Sequence, residues 1–407
     1  MKNVTSWILC ILAFSFSFIG CAKRFPHPPW FLRIASLGPS IGSEEILKLP
    51  EGESISLSQL IEDLRSARVI YVGEAHDQFE HHQAQVKVLQ ELLREGREVV
   101  VGMEMFQRSQ QSILDRWSQG SIAEGDFLEE VQWETTWGID YSFYKGILDI
   151  AKEHHLKVLG LNVPKELSRK VAQAGIKSLP PEDRSRLPEL DLKGKHHRKY
   201  VRSIFKSHKG GTAKGFEYFY QAQCLWDEAM AEAISDFLKS PEGVGKTVLV
   251  FAGNGHVVFD FGIPRRLYRR VSLPYQTIVL KEWRKGMDED FLFSQTYGPL
   301  ADFLWITKPS PPEKKRPRIG IVLKEKEDPL GIWIERVIPE SPAEKAGLLP
   351  GDQFVSIEGK EVKSLKDIHD AVAHIGWGKD ITITVLRDGV QKEITVTLPP
   401  LKESTPP

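Results

Sequence analysis

Four short runs of aliphatic and β-branched residues decide what this chain can become: Val69–Val72, Glu98–Met103, Lys157–Asn162 and Lys246–Ala252. Each is almost continuously apolar rather than alternating, the pattern of strands buried on both faces. Helical periodicity fills the gaps. Ser56–Arg65 places Leu57, Leu60, Ile61 and Leu64 on one side, and Gln78–Glu95 sets Val88 with Leu92, and Val86 with Leu89 and Leu93. Phe216–Leu238 carries a stripe of Phe219, Trp226, Met230 and Phe237. Strands alternating with helices predict an α/β fold, a largely parallel sheet flanked by helices and joined by right-handed crossovers. Tyr275–Leu280 adds a fifth strand near an edge, and Ile41–Glu53 reads as a loose lead-in.

Every one of the four runs hands over to a polar group. Glu74 and His76 follow Gly73, Glu104 follows Gly102 and Met103, Asn162 ends the third run, and Asn254 and His256 flank Gly255 after the fourth. Ligands of open parallel sheets bind outside the carboxyl ends of the strands, so these groups should converge on one edge. Two histidines and two carboxylates suit a divalent metal with open positions. They equally suit general acid–base work, one carboxylate raising the pKa of the other. Each also has a structural reading: Glu74 as a helix cap, His76 bonded to a carbonyl, Glu104 paired with Arg108. The spacing has none of the tightness of an HExxH motif and does not fix the ligand.

Other residues attach to this edge. Asp77 and Glu80 predict a capping box for the helix from Gln78. His82, one turn before Val86, faces the packed side of that helix. Gln223 is polar on an apolar stripe, with Asp227 one turn on. Buried polar groups need partners, so both either line the site or bond a neighbouring helix. The largely helical 107–150 segment carries Trp133, Trp137, Tyr141 and Tyr144, which form core or wall a flat ligand.

The ends of the chain are of different character. Lys2 precedes an apolar stretch, Trp7–Gly20, of about 14 residues, short of the roughly 20 a bilayer span needs. It closes on Ile19-Gly20-Cys21 and resembles a bacterial lipoprotein signal, which implies cleavage after residue 20 and acylation (palmitate among the acyl groups) at Cys21. The cysteines are Cys10, Cys21 and Cys224, so with the first removed and the second acylated no internal disulfide can form. A lipid-anchored spacer would run over 21–54, the α/β domain over 55–307, and a Pro- and charge-rich linker over 308–318. Short strands around a single helix, Leu365–His374, fill 319–399, and 400–407 is a tail. With 54 basic and 55 acidic residues the chain has no charge excess for nucleic acid. The local basic stretch Lys193–Lys214 is a solvated face or a lid for an anionic ligand or headgroups.

Taken together, Gly73-Glu-Ala-His76, Gly102-Met-Glu-Met-Phe106, Leu161-Asn-Val-Pro164, Gln221–Ala231 and Gly253-Asn-Gly-His256 resemble the ChaN family of haem-binding lipoproteins in the Tiki-like superfamily. The resemblance implies non-covalent haem binding (no CxxCH motif is present) and a role in haem or iron uptake at the bacterial cell envelope, on the outer membrane facing the periplasm. Iron is held by His, Tyr, Cys or Met; the candidates are His76, His82, Tyr141, Tyr144 and His256, with Asn162, Gln223, Asp227 and Asn254 as pocket lining. Tiki-like relatives include metal-dependent peptidases, and more distant ones erythromycin-esterase-type hydrolases. That relation implies the alternative of a metal-dependent hydrolase using Glu74, His76, Glu104 and His256, and the sequence does not decide whether there is turnover.

Ser341–Asp352, Ile357-Glu-Gly-Lys360 and Val385–Gly389 resemble a bacterial PDZ domain of the periplasmic protease type. The resemblance implies a groove that takes a partner's extended or C-terminal peptide as an added strand, its carboxylate caught by the loop Arg318–Ile321, with Ile319, Gly320 and Ile321 as the donors.

Overall fold

The computed structural model describes residues 44–206, 213–282, 297–308, 319–327 and 330–399, apart from 364–366, 369–370 and 373–374. The expected signal peptide, Cys21, most of the linker and the tail lie outside the described residues, as do 207–212 of the basic stretch. The chain divides into two compact units, Met1–Ser310 and Pro311–Pro407.

The first unit is built on an eight-stranded sheet: β1 (Glu45–Lys48), β2 (Glu53–Ile55), β3 (Val69–Glu74), β4 (Val99–Gln107), β5 (Val158–Asn162), β6 (Thr247–Gly253), β7 (Tyr275–Glu282) and β8 (Phe303–Thr307). Their order is β2-β1-β8-β7-β3-β6-β4-β5. The strands from β8 to β5 are parallel, and β1 pairs antiparallel with β8 and β2. Around the sheet pack α1 (Leu57–Asp63), α2 (Phe79–Arg94), α3 (Ser142–Glu153), α4 (Lys165–Ala174), α5 (Lys195–Lys206), α6 (Ala213–Lys239) and α7 (Ile263–Arg270).

Side chains alternate across each strand, so one strand feeds two cores. Ile70 and Val72 join Leu60 of α1, Leu89 and Leu92 of α2 and Leu148 of α3. Val69 and Tyr71 join Met230 and Ile234 of α6 and Leu267 of α7. Each fully buried aliphatic side chain contributes roughly 1.5–3 kcal/mol, and the two layers together explain the continuous apolar runs.

Three expectations are corrected. The lead-in over 41–53 instead supplies β1 and β2, which extend the sheet beyond β8. Tyr275–Leu280 is therefore an interior strand, β7, between β8 and β3. The capping box does not form: α2 starts at Phe79 with Gln78 as its N-cap and no side-chain cap. Two histidines fix the turn instead. His81 Nδ1 accepts from the Ala75 amide at 2.9 Å, and His82 Nε2 bonds the His76 carbonyl at 3.1 Å. β3 and β4 are parallel as the crossover requires, but β6 lies between them. Gly253 sits opposite Glu74 as a result.

The second unit is an antiparallel sheet of β9 (Ile321–Glu327), β10 (Leu330–Val337), β11 (Gln353–Ile357), β12 (Lys360–Glu361), β13 (Asp380–Arg387) and β14 (Val390–Thr397), ordered β14-β13-β11-β10-β9 with β12 on β11. Ile332, Ile334, Phe354, Ile381 and Ile383 form its core. The short helix α8 (Pro342–Ala346) is capped by Ser341, which accepts from the Glu344 amide at 3.2 Å. Gly320 has φ +86°, and a Cβ there would meet the Ser341 Cβ at 2.2 Å, so only glycine fits. The expected helix Leu365–His374 is described in part, with Ile368 and Val372 reaching the core.

Candidate functional site

β3, β6 and β4 end side by side and place the polar groups where the sequence expected them. The Glu74 side chain is fully buried at the tip of β3. Its Oε1 accepts from His76 Nδ1 at 2.7 Å and from the Tyr144 hydroxyl at 2.9 Å. Its Oε2 accepts from Gln85 Nε2 at 2.6 Å, with His82 Nδ1 at 3.5 Å. Burial works against charge on Glu74, but the positive fields of His82 and His76 and these donors outweigh it, and its pKa falls below the ordinary 4.5.

The His76 side chain is 33% exposed. Burial opposes its charge too, yet the bond to Glu74 and the field of Glu104 prevail and raise its pKa above the ordinary 6.5. Its ring meets Trp137 edge-on at 4.9 Å. A Cβ on Gly253 would lie 3.0 Å from His76 Cε1 and Nε2, so glycine there gives the ring its place. Phe79, 39% exposed, and Phe143 continue an aromatic surface at the start of α2.

Behind His76 lies a second set. Glu104 Oε2 accepts from the Gly253 amide at 2.7 Å, and its Oε1 is 3.4 Å from His256 Nε2. His256 Nδ1 donates to Asp227 Oδ1 at 2.6 Å, with the Gln223 amide nitrogen 3.0 Å from the same ring atom. Burial disfavours the His256 cation, but Glu104 and Asp227 overcome it and lift the pKa to about 10. Burial likewise opposes the Glu104 anion, and His256 overrides it to hold the pKa at about 2. Asp227 Oδ2 is 3.6 Å from both Arg266 Nη1 and His197 Nε2. The arrangement is a buried chain of alternating charge.

The remaining expected residues separate. Asn254, just after β6, donates to the Leu280 carbonyl of β7 at 2.8 Å. Asp227 is fully buried, and with Gln223 serves His256. Asn162 donates to the Glu104 carbonyl at 3.1 Å and does line a cavity. Arg108 does not pair with Glu104; it reaches Glu232 at 2.7 Å and Asp236 at 2.8 Å on α6. Tyr141 packs edge-on against Trp133 at 5.6 Å, and burial raises its pKa. Cys224 is buried, its thiol pushed up to about 12 by burial, the signature of an inert cysteine.

Sequence reading missed Gln85, His81, Arg266 and His197. Gln85 had a signal: it lies one turn after His81 on the stripe that continues through Val88, Leu89 and Leu92. Among the described residues no three His, Cys, Asp or Glu side chains are placed to hold a metal ion. The carboxylates at the edge are already engaged by Tyr144, His76, Gln85, Gly253 and His256. Among those residues, too, no helix is long and apolar enough to cross a membrane.

The family described as haem-binding uptake, Tiki superfamily, ChaN matches residues 60–267, and the PDZ domain matches residues 317–398. A solved structure titled "Cofacial heme binding to ChaN of Campylobacter jejuni" is 19% identical with a TM-score of 0.51, covering 65% of this chain and 97% of that one. At that identity the likeness shows the fold. A probable periplasmic serine protease do/HhoA-like of Haemophilus influenzae is 38% identical over 68 residues, 17% of this chain and 15% of the relative. A probable periplasmic serine endoprotease DegP-like of Bartonella henselae is 25% identical over 155 residues, 36% of this chain and 30% of the relative. The chain thus spans less than a third of either protease.

Proposed function

The chain belongs to the ChaN family of haem-binding uptake proteins in the Tiki superfamily and carries a PDZ domain behind that unit; from this premise we propose that it binds haem non-covalently through His76 and takes a partner protein's peptide along β9. The observation that carries the first part is the setting of His76. Of the five candidate ligands, His82, Tyr144 and His256 are buried and bonded, and Tyr141 packs with its hydroxyl buried. His76 is partly exposed, its side chain 33% accessible, while its Nδ1–H is held by a buried carboxylate.

These residues fit the group. Nδ1–H donation to Glu74 fixes the tautomer and leaves the Nε2 lone pair as the donor, with its basicity raised. Tyr144 and Gln85 hold Glu74 in turn, so the pair is braced before any ligand arrives. Trp137 and the exposed Phe79 offer apolar faces to a flat ring. Bound haem would supply an iron centre able to accept the Nε2 lone pair and change oxidation state. Haemin titrated into the full-length protein should give a saturable Soret shift; a folded protein giving none contradicts the reading.

For the PDZ unit, β9 ends the sheet order, and the Ile319–Ile321 loop lies beside its start. An added peptide strand would use the outer backbone edge of β9. Envelope placement rests on the lipoprotein-like signal, with acylation at Cys21 anchoring the chain to the outer membrane on its periplasmic side. Cys21→Ala should move the protein from the membrane to the soluble fraction, and an unchanged distribution would count against the anchor.

A further inference from the structure

At the outer end of the same edge, β5 runs into a separate cavity of about 380 Å³. Its floor is apolar: Val163 and Pro164 as the chain leaves β5, Leu167 of α4 and Ala229 of α6. Val163 and Leu167 rest on a satellite core of Val171, Leu179, Ala222 and Leu225, so packing holds the wall in place. Asn162 closes the inner end. Its amide donates to Glu104 O at 3.1 Å, and its own oxygen accepts from the Val163 amide at 2.9 Å. None of the five candidate haem ligands lines this space, which sets it apart from the His76 face.

The charges around its mouth are sorted. Arg108 is taken up by Glu232 and Asp236 at 2.7 and 2.8 Å. Lys170 leans on Asp183 at 3.4 Å. That leaves Arg186 and Glu166, one of each sign, lining the cavity with no side-chain hydrogen bond or ion pair among the described residues. Small-molecule sites are mostly apolar with a few placed polar groups, and about 380 Å³ lies near the lower end of their usual range of roughly 300–1,000 Å³.

We propose that this cavity is a second ligand site, for a small apolar zwitterion of the α-amino-acid or short-peptide kind. The Arg186 guanidinium takes the carboxylate in its planar fork, Glu166 takes the ammonium, and the aliphatic body lies on Val163, Leu167 and Ala229. A plain fatty carboxylate would leave Glu166 facing it without a partner, and a plain amine would do the same to Arg186.

The test is calorimetric titration of the full chain with leucine, N-acetyl-leucine, leucinamide and leucyl-leucine. Leucine or the dipeptide should bind saturably, and each single-charge derivative at least about tenfold more weakly, a difference of about 1.4 kcal/mol. Arg186→Ala should weaken leucine by a similar factor and leave leucinamide unchanged; Glu166→Gln should weaken leucine and leave N-acetyl-leucine unchanged. Both positions are exposed, so both variants should fold. Ala229→Leu, which fills the floor, should abolish zwitterion binding with haemin titration unchanged. Absence of binding by leucine and leucyl-leucine, binding indifferent to both charge variants, or loss of haem binding in Ala229→Leu would each overturn the assignment.

Discussion

His76 and His256 leave neighbouring strand ends and each faces a glutamate, yet the two have opposite surroundings. The His76 side chain is 33% exposed and its Nδ1 is held by Glu74 alone; that of His256 is 8% exposed and lies between Glu104 and Asp227. The difference is one of available lone pairs. His256 has both ring nitrogens directed at carboxylates, so its protonated form is the one the site favours. His76 has only Nδ1 directed at a carboxylate within hydrogen-bond distance, and Nε2 is the nitrogen proposed for the iron. The same residue type at the same kind of strand end is thus half-buried with one nitrogen engaged in one place, the proposed ligand, and a buried cation between two carboxylates in the other.

The sharpest way to break that comparison is to cut the buried set. Asp227→Ala takes from buried His256 the carboxylate on its Nδ1, while Arg266 keeps Glu228 at 3.2 Å; removal of one partner from a buried charge network costs about 3–5 kcal/mol. Thermal unfolding of the first unit should drop by many degrees while the PDZ unit unfolds as before. His256→Ala should likewise destabilise, whereas His76→Ala should change stability by less than about 1 kcal/mol. A stability loss in His76→Ala equal to that of His256→Ala would erase the distinction.

Next in size is the support of the exposed histidine. Partners of a metal-ligating histidine typically matter by about 10–100-fold in affinity. Glu74→Gln should therefore weaken haemin binding within that range, measured by competition against a reference haem binder, with secondary structure retained by circular dichroism.

Acidity separates the two sets further. The folded-state pKa of His256 is raised from 6.5 to about 10, so its contribution is whole below pH 6.5 and is lost as pH rises towards about 10. Glu104 is lowered from 4.5 to about 2, so its contribution is whole above pH 4.5 and is lost as pH falls towards about 2. Denaturant unfolding of the first unit should show greatest stability between those limits, and His256→Gln should flatten the alkaline decline. An unchanged alkaline slope in that variant would place the network's cation elsewhere.

The smallest effect belongs to Gly253→Ala. Its Cβ would press on the His76 ring at 3.0 Å, tighter than ordinary contact. A few-fold loss of haem affinity is expected, read by the same competition, with stability little changed.

How much of this was legible in the sequence follows from what each residue answers to. β3 to β6 announced themselves because burial on both faces leaves no room for polar alternation. Glu74, His76, Glu104 and His256 could be found because each directly follows such a run. β1 and β2 could not: Glu45–Lys48 and Glu53–Ile55 are short and half polar, and only pairing, of β1 with β8 and of β2 with β1, makes them strands. Phe303–Thr307 is too short an apolar run to tell strand from buried helix. The bonds of Tyr144 to Glu74 and of Asp227 to His256 span 70 and 29 residues, and tertiary packing alone decides them. The helix start failed for a related reason, since His81 and His82, held by the site's own turn, replaced the Asp77–Glu80 cap.

The central claim is that His76 Nε2 is the donor to haem iron, and chemical rescue tests it most directly. His76→Gly removes the ring and leaves Glu74 in place. The variant should lose the wild-type Soret spectrum with haemin and regain it on addition of free imidazole, while His256→Gly, where folded, keeps it without rescue. A His76→Gly protein that binds haemin with the wild-type spectrum and affinity, unmoved by imidazole, would contradict the account.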